Sequence, residues 1–198
     1  MKEINVKGTV RTALGKKAAR DIRKANAVPC NLYGEAKNEN GAPQALSFTA
    51  TNDELRNLIY SPDIYAVNLN IDGKECKAVL KEIQFHPVKD NVLHVDFYEI
   101  TENKPIVMEV PIKLNGLAEG VKAGGRLAAS VRKLKVKALY TNIPERLNID
   151  VTHLGLGKTI KVGELSFEGL ELITSKEVVV CQVKVTRSAR SAAAASEK

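Results

Sequence analysis

Val67, Leu69 and Ile71 alternate with polar residues up to Asp72-Gly73, and Cys76, Ala78 and Leu80 alternate away from it. A period of two puts each apolar set on one face of a strand, and Asp-Gly takes the positive φ angles of a two-residue hairpin turn. The return strand, Cys76 to Ile83, loses its alternation at Val79-Leu80 and again at Ile83, which predicts a bulge. The same period recurs at Ile4, Val6 and Val10, from Gln44 to Thr49, and from Val92 to Ile100. Beyond residue 105, strands are expected over 106–114, 131–139, 147–151, 160–165, 169–173 and 178–185, with turn residues between them. Such spacing fits a sandwich or barrel. Aromatic residues make up 5% of the chain and Trp is absent, so Val, Ile and Leu must fill the core. The fold class expected is mainly β.

Two stretches depart from the strand period. Thr51-Asn52-Asp53-Glu54 has the form of a helix capping box, Leu55, Leu58 and Ile59 come next as one apolar face, and Pro62 stops the helix. The other stretch is Arg11 to Gly34. Lys16, Lys17, Arg20, Arg23 and Lys24 share one helical face, while Ala18, Ile22 and Ala25 take the opposite one and could pack on a core. Asn26 suits the left-handed close of a helix, and Pro29 confines the next segment to a sheet edge or strand start. That segment, CNLYG, presents Tyr33.

Charge is segregated along the chain. Residues 1–37 carry a net +6, residues 38–100 a net −5 and residues 101–187 a net +5, within an overall +7. An even spread of Lys for solubility would not set a strongly basic segment against an acidic one, so the pattern implies a localised anionic partner. From the basic stretch alone, two readings stand: a solvated amphipathic helix, or a cationic stripe that grips a phosphate backbone.

The 198 residues suit one large domain or two smaller ones. The polar segment TENKP after Ile100 predicts a linker, giving domains at 1–100 and 101–187 and a disordered tail at 188–198. Glu35 to Pro43 reads as a polar loop. No signal-peptide run opens the chain and no stretch approaches ~18 apolar residues, so no membrane association is expected. Cys30, Cys76 and Cys181 are far apart and form no CxxC, which argues against a disulfide framework or a structural zinc and fits a reducing, cytoplasmic setting.

Several patterns resemble chemistry. Gly155-Leu156-Gly157-Lys158-Thr159 ends like a P-loop, but position 152 is Thr where that motif needs Gly, and the next element is expected to be a strand rather than a helix. A turn between strands is the better account. His86, His94 and His153 have no metal-ligand spacing. A Cys–His pair assembled in space stays open, with Cys30 the one thiol near a cation cluster. Lys133, Lys135 and Lys137 line one face of a strand, which is usually an edge-protecting device and less readily an RNA contact. His94 and Asp96 point the same way on their strand while Val95 and Phe97 face inward. They are either part of a plain solvent face or a pair that reads bases, since a carboxylate cannot favourably contact a phosphate but accepts from base or ribose donors.

The ordered set Val10-Arg11, Gly15-Lys16, Ala19-Arg20, Arg23, Val28-Pro29, Leu32-Tyr33-Gly34, Asp72-Gly73-Lys74, Gln84-Phe85-His86-Pro87 and His94-Val95-Asp96-Phe97 resembles the bacterial large-subunit ribosomal protein family L-twenty-five. Val110-Pro111, Gly120 to Gly125 and Asn142-Ile143-Pro144 extend the likeness to the long, two-domain form related to the general stress protein CTC. The resemblance implies an N-terminal small β-barrel with two or three short helices, an all-β C-terminal domain, and binding to 5S rRNA. The family's RNA-contacting positions fall on Arg11, Arg23, Tyr33, His94 and Asp96, with Lys16 and Arg20 in support. It also implies a structural role in the 50S subunit with no enzyme activity, cofactor, metal or small-molecule substrate, and neighbouring 50S proteins as partners of the C-terminal domain. An RNA-associated stress protein or a protein-interaction module outside the ribosome is the alternative. Asn26 and Ala27 stand where the family often has Gly-Lys, Cys30 stands where a small residue such as Ala is usual, and the tail lacks the acidic run of some long members.

Overall fold

The computed structural model describes residues 1–37, 43–101 and 104–187. It forms two compact units, one of Met1–Ile106 with Leu139–Thr141, the other of Val107–Ala138 and the described residues from Asn142 onward. Glu102 and Asn103 of the expected linker, the middle of the expected loop at 38–42, and the tail 188–198 lie outside the described residues.

In the first unit the elements are β1 (Lys2–Val10), α1 (Lys16–Lys24), β2 (Ala27–Lys37), β3 (Pro43–Thr51), α2 (Asn52–Ile59), β4 (Tyr65–Ile71), β5 (Lys74–Phe85) and β6 (Val92–Glu99). The six strands close a barrel in the order β1-β3-β2-β6-β5-β4. The Asp72-Gly73 hairpin forms with φ of 48° and 87°, and Ile71 pairs with Lys74 across it. The bulge falls between Leu80 and Glu82, with a second register shift between Gln84 and Phe85. It shifts the inward phase from Ala78 and Leu80 to Ile83, which pairs with the buried Val95, while Glu82 and Gln84 stay exposed. Alternate residues from each strand, among them Val28, Cys30, Leu32, Phe48, Leu69, Val95 and Phe97, fill the interior. The Phe48 and Phe97 rings lie 5.7 Å apart, and burying each contributes about 2–3 kcal/mol. Two pairings, β1 with β4 and β2 with β6, are parallel.

The helices join strands that a tight turn cannot. Thr51 caps α2 as the capping box predicts, its hydroxyl accepting from the Glu54 N–H at 3.4 Å, and Leu55 and Leu58 are buried. Helix α1 buries no residue, so its apolar face does not reach the core as anticipated: Ala18 and Ile22 are half-buried and Ala25 is exposed. Asn26 closes it at φ 59° and is tied by Asn52, whose Nδ2 donates to Asn26 Oδ1 at 2.7 Å. Pro29 lies inside β2, paired with Thr49 of β3, and pairing to β6 begins only at Cys30, so its missing N–H leaves no gap in that ladder.

The second unit holds β7 (Ile106–Asn115), α3 (Glu119–Lys122), β8 (Arg126–Ala129), β9 (Lys133–Ala138), β10 (Leu147–Asp150), β11 (Thr159–Lys161), β12 (Glu171–Leu172) and β13 (Val179–Lys184). They form one sheet in the order β10-β7-β9-β12 and another in the order β11-β13-β8. The strand expected over 160–165 stops at Lys161, where Val162–Glu164 turns into a 3-10 segment. That over 169–173 contracts to two residues. Strand β8 is unforeseen, because its Arg-Leu-Ala-Ala carries no β-branched residue. The Lys133–Lys137 strand is internal to its sheet rather than an edge, so edge protection is not its role: Lys135 Nζ stands 4.0 Å from Glu109 of β7, and Lys137 Nζ 3.1 Å from Glu171 of β12. Thr159 after the Gly-Leu-Gly-Lys turn begins β11, so no helix N-terminus succeeds the turn and the P-loop likeness ends there. Among the described residues no helix is long and apolar enough to cross a membrane.

Candidate nucleic-acid interface

Inward alternation of Cys30, Leu32, Val95 and Phe97 turns Asn31, Tyr33, His94, Asp96 and Tyr98 outward. The parallel register of β2 on β6 sets Asn31 opposite Asp96 and Tyr33 opposite Tyr98. Antiparallel pairing with β5 sets Glu82 opposite Asp96 and Gln84 opposite His94. On the other flank Ser47 of β3 pairs with Asn31, its hydroxyl donating to Asn31 Oδ1 at 3.0 Å. Four strands thus build one polar patch, Ser47–Asn31–Asp96–Glu82, with His94 and Gln84 one step along.

His94 Nδ1 and Asp96 Oδ1 stand 3.2 Å apart, each side chain about a fifth exposed. The Tyr33 and Tyr98 rings meet edge to face at 5.8 Å. Partial burial pushes the Tyr33 phenol up, with the charges of Asp96 and Glu82 adding to it, so the hydroxyl remains a proton donor at neutral pH. His86 lies off the patch, its Nδ1 accepting the Val88 and Lys89 N–H groups at 3.2 Å each.

Cations flank this patch on two sides. Arg11 leaves β1 beside β3, its N–H donating to Ser47 O at 2.9 Å. Its Nε is buried with no acceptor among the described residues, and Nη2 reaches only Ala13 O at 3.4 Å. A buried donor without an acceptor costs about 1–3 kcal/mol, a cost that the Arg11 side chain bears beside Ser47. Helix α1 packs against β2. At 100° per residue its five cations span about 120° of arc, with Arg23 and Lys16 at one margin. Arg23 turns toward β6, where Nε and Nη2 both donate to Leu93 O at 3.1 and 2.8 Å. Arg23 thereby clamps the helix beside His94, a use of this side chain that its place in the basic stripe did not reveal, and three of its five N–H groups remain for an anion. Lys16 and Arg20 are exposed along the same helix. The first turn of α1 holds two lysines and no acid, the unfavourable sign for the positive end of a helix dipole. An anion placed there relieves that cost.

The fold therefore gathers Arg11, Arg23, Tyr33, His94 and Asp96 onto one side of the barrel, with Lys16 and Arg20 on the adjoining helix. Asn31, Ser47, Glu82 and Gln84 belong to the same patch and were not foreseen. The spacing i, i+2 from Tyr33 points to Asn31, but only strand register brings the other three in. Cys30 is removed as a candidate nucleophile: burial pushes its thiol up to about 12, so it stays protonated in the core.

The sequence matches the Ribosomal L25p family model over residues 6–97 and the model for the C-terminal domain of ribosomal protein TL5 over residues 105–187. It is 67% identical, over the whole of both chains, to a large ribosomal subunit protein bL25 of Phocaeicola vulgatus. It is 63% identical to the protein of that name in Bacteroides thetaiotaomicron, again over both full chains. The Porphyromonas gingivalis protein of that name is 56% identical over 98% of each chain.

Proposed function

The chain belongs to the bL25 family of large ribosomal subunit proteins, in the long form with a TL5-type C-terminal domain, and from that premise we propose that its barrel binds 5S rRNA. Membership makes it a structural constituent of the large subunit, cytoplasmic as part of the ribosome, in a family that is not a class of enzymes. The finer reading rests on one observation: a patch of carboxylates, amides and aromatics flanked by arginines and lysines.

A surface that only gripped phosphates would not put Asp96 in its middle with Glu82 beside it. The border and the centre divide the work. Arg11, Lys16, Arg20 and Arg23 meet phosphate oxygens, while Asp96 accepts from base amino or imino groups or a ribose hydroxyl, and His94 and Tyr33 present a donor and a stacking face. An undistorted A-form duplex hides its base edges in a narrow groove, so the RNA region that fits has a widened groove or displaced bases. Residues 1–100 suffice for this contact on our reading, since every proposed residue lies within them.

The test is a salt titration of 5S rRNA binding. Four phosphate contacts give a slope of about −3 to −4 in log affinity against log salt, a loss of about a hundredfold between roughly 50 and 200 mM. Tight binding with a slope near zero would refute the electrostatic border.

A further inference from the structure

We propose that the outer face of the β11-β13-β8 sheet, in the second unit, is a separate RNA-backbone contact centred on Arg126 and Lys184. In the antiparallel register Lys184 is the direct partner of Arg126, and Gln182 that of Ala128 and Thr159. Cys181 and Val183 point inward, so Gln182 and Lys184 point outward, and side chains at directly paired positions share a face. Two exposed like charges are thus held side by side. None of the outward register positions Thr159, Gln182, Lys184, Arg126 and Ala128 is an acid. At the far end of the sheet Glu177 is taken by Lys161 at 2.8 Å.

The neighbouring sheet of the same unit shows the ordinary arrangement. There Lys135 and Lys137 each face a glutamate on an adjacent strand. Like charges directly opposite destabilise a sheet, so Arg126 facing Lys184 gives nothing to the fold. A phosphate between them converts that repulsion into attraction. Sequence around the pair keeps the same sign: residues 118–132 hold Lys122, Arg126 and Arg132 against Glu119, and residues 178–187 hold Lys184 and Arg187 against no acid. Gln182 and Thr159, neutral and able to donate, extend the strip as phosphate or 2′-hydroxyl partners. For a protein of the large ribosomal subunit the polyanion at hand is rRNA. This contact does not depend on the barrel's choice of RNA.

The experiment compares the full chain with the double variant Arg126→Gln/Lys184→Gln in rebinding to large subunits stripped of this protein. Loss of two phosphate contacts should reduce the salt slope by about 1.5 to 2 and weaken binding several-fold at low salt. The thermal midpoint should hold or rise, because a repulsion has gone. Affinity for isolated 5S rRNA should not change, which separates this claim from that for the barrel. A matched Lys135→Gln/Lys137→Gln variant should leave the slope alone. A photo-crosslinker at Ala128 should attach to RNA within the subunit. An unchanged slope, an equal loss on isolated 5S rRNA, or crosslinks to protein alone would each overturn the proposal.

Discussion

Replacing Asp96 by Asn and by Ala separates reading from gripping, because the two roles predict effects of opposite sign. Asp96 is partly exposed beside His94 Nδ1, and its outward position is shared with Asn31 and Glu82 on the flanking strands. A hydrogen bond to a charged acceptor is worth about 1.5–3 kcal/mol, so Ala should weaken 5S rRNA binding roughly 10- to 150-fold. Asn keeps an acceptor and loses only the charge, for a loss of about 1 kcal/mol, or roughly fivefold. On a random duplex the carboxylate is only a like charge near phosphates. At a separation of ~8 Å in water that repulsion is about 0.5 kcal/mol before salt screening, so both variants should bind a random duplex slightly better than the parent. Fluorescence anisotropy on the two RNAs reads both effects. The Tyr33 phenol supplies an internal check: it is raised first by burial and then by Asp96, so in the Asn variant it should fall part of the way toward its ordinary value. Equal losses on both RNAs, with unchanged thermal unfolding, would refute a discriminating role.

Arg23→Ala should weaken binding to any RNA and also loosen α1, since the two bonds to Leu93 O go with it; hydrogen exchange across residues 16–25 should speed up while the barrel amides stay protected. Gly34→Ala would put a Cβ 2.5 Å from Glu99 Cβ and 3.4 Å from its Cα, which no rotamer change relieves. Overpacking of that kind costs about 1–3 kcal/mol and should lower the thermal midpoint by roughly 4–20 °C, with the Tyr33–Tyr98 contact disturbed in the NMR spectrum. Cys30 makes stability fall at alkaline pH: its folded value of about 12 exceeds that of an unfolded thiol, so its contribution is whole below the unfolded value and is lost as pH rises toward the folded one. The slope is about 1.4 kcal/mol per pH unit, and Cys30→Ala, measured by urea unfolding from pH 8 to 11, should decline less steeply than the parent.

The features legible in the residues were those that depend on neighbours in the chain. The hairpin at Asp72-Gly73, the Thr51 cap, the bulge in β5 and the outward direction of His94 and Asp96 all come from local spacing and turn chemistry. The rest depends on pairing between distant strands. Nothing near Asn31 or Ser47 says that a parallel partner will bring Asp96 beside them, and nothing in the basic stripe says that Arg23 will turn inward to a carbonyl seventy residues away. The same limit explains the Lys133–Lys137 strand: alternation fixed its two faces, but only the sheet order made it internal and supplied Glu109 and Glu171. Charge found the border of the site, and register was needed to find its centre.

A barrel built with a reading centre beside a gripping border should recognise one RNA rather than RNA in general. The most direct test is a competition gel-shift of the full chain on labelled 5S rRNA, challenged with unlabelled 5S rRNA or another structured RNA of similar size at moderate salt. The unrelated RNA should compete roughly a hundredfold or more weakly; equal competition by the two would contradict specific recognition by the barrel.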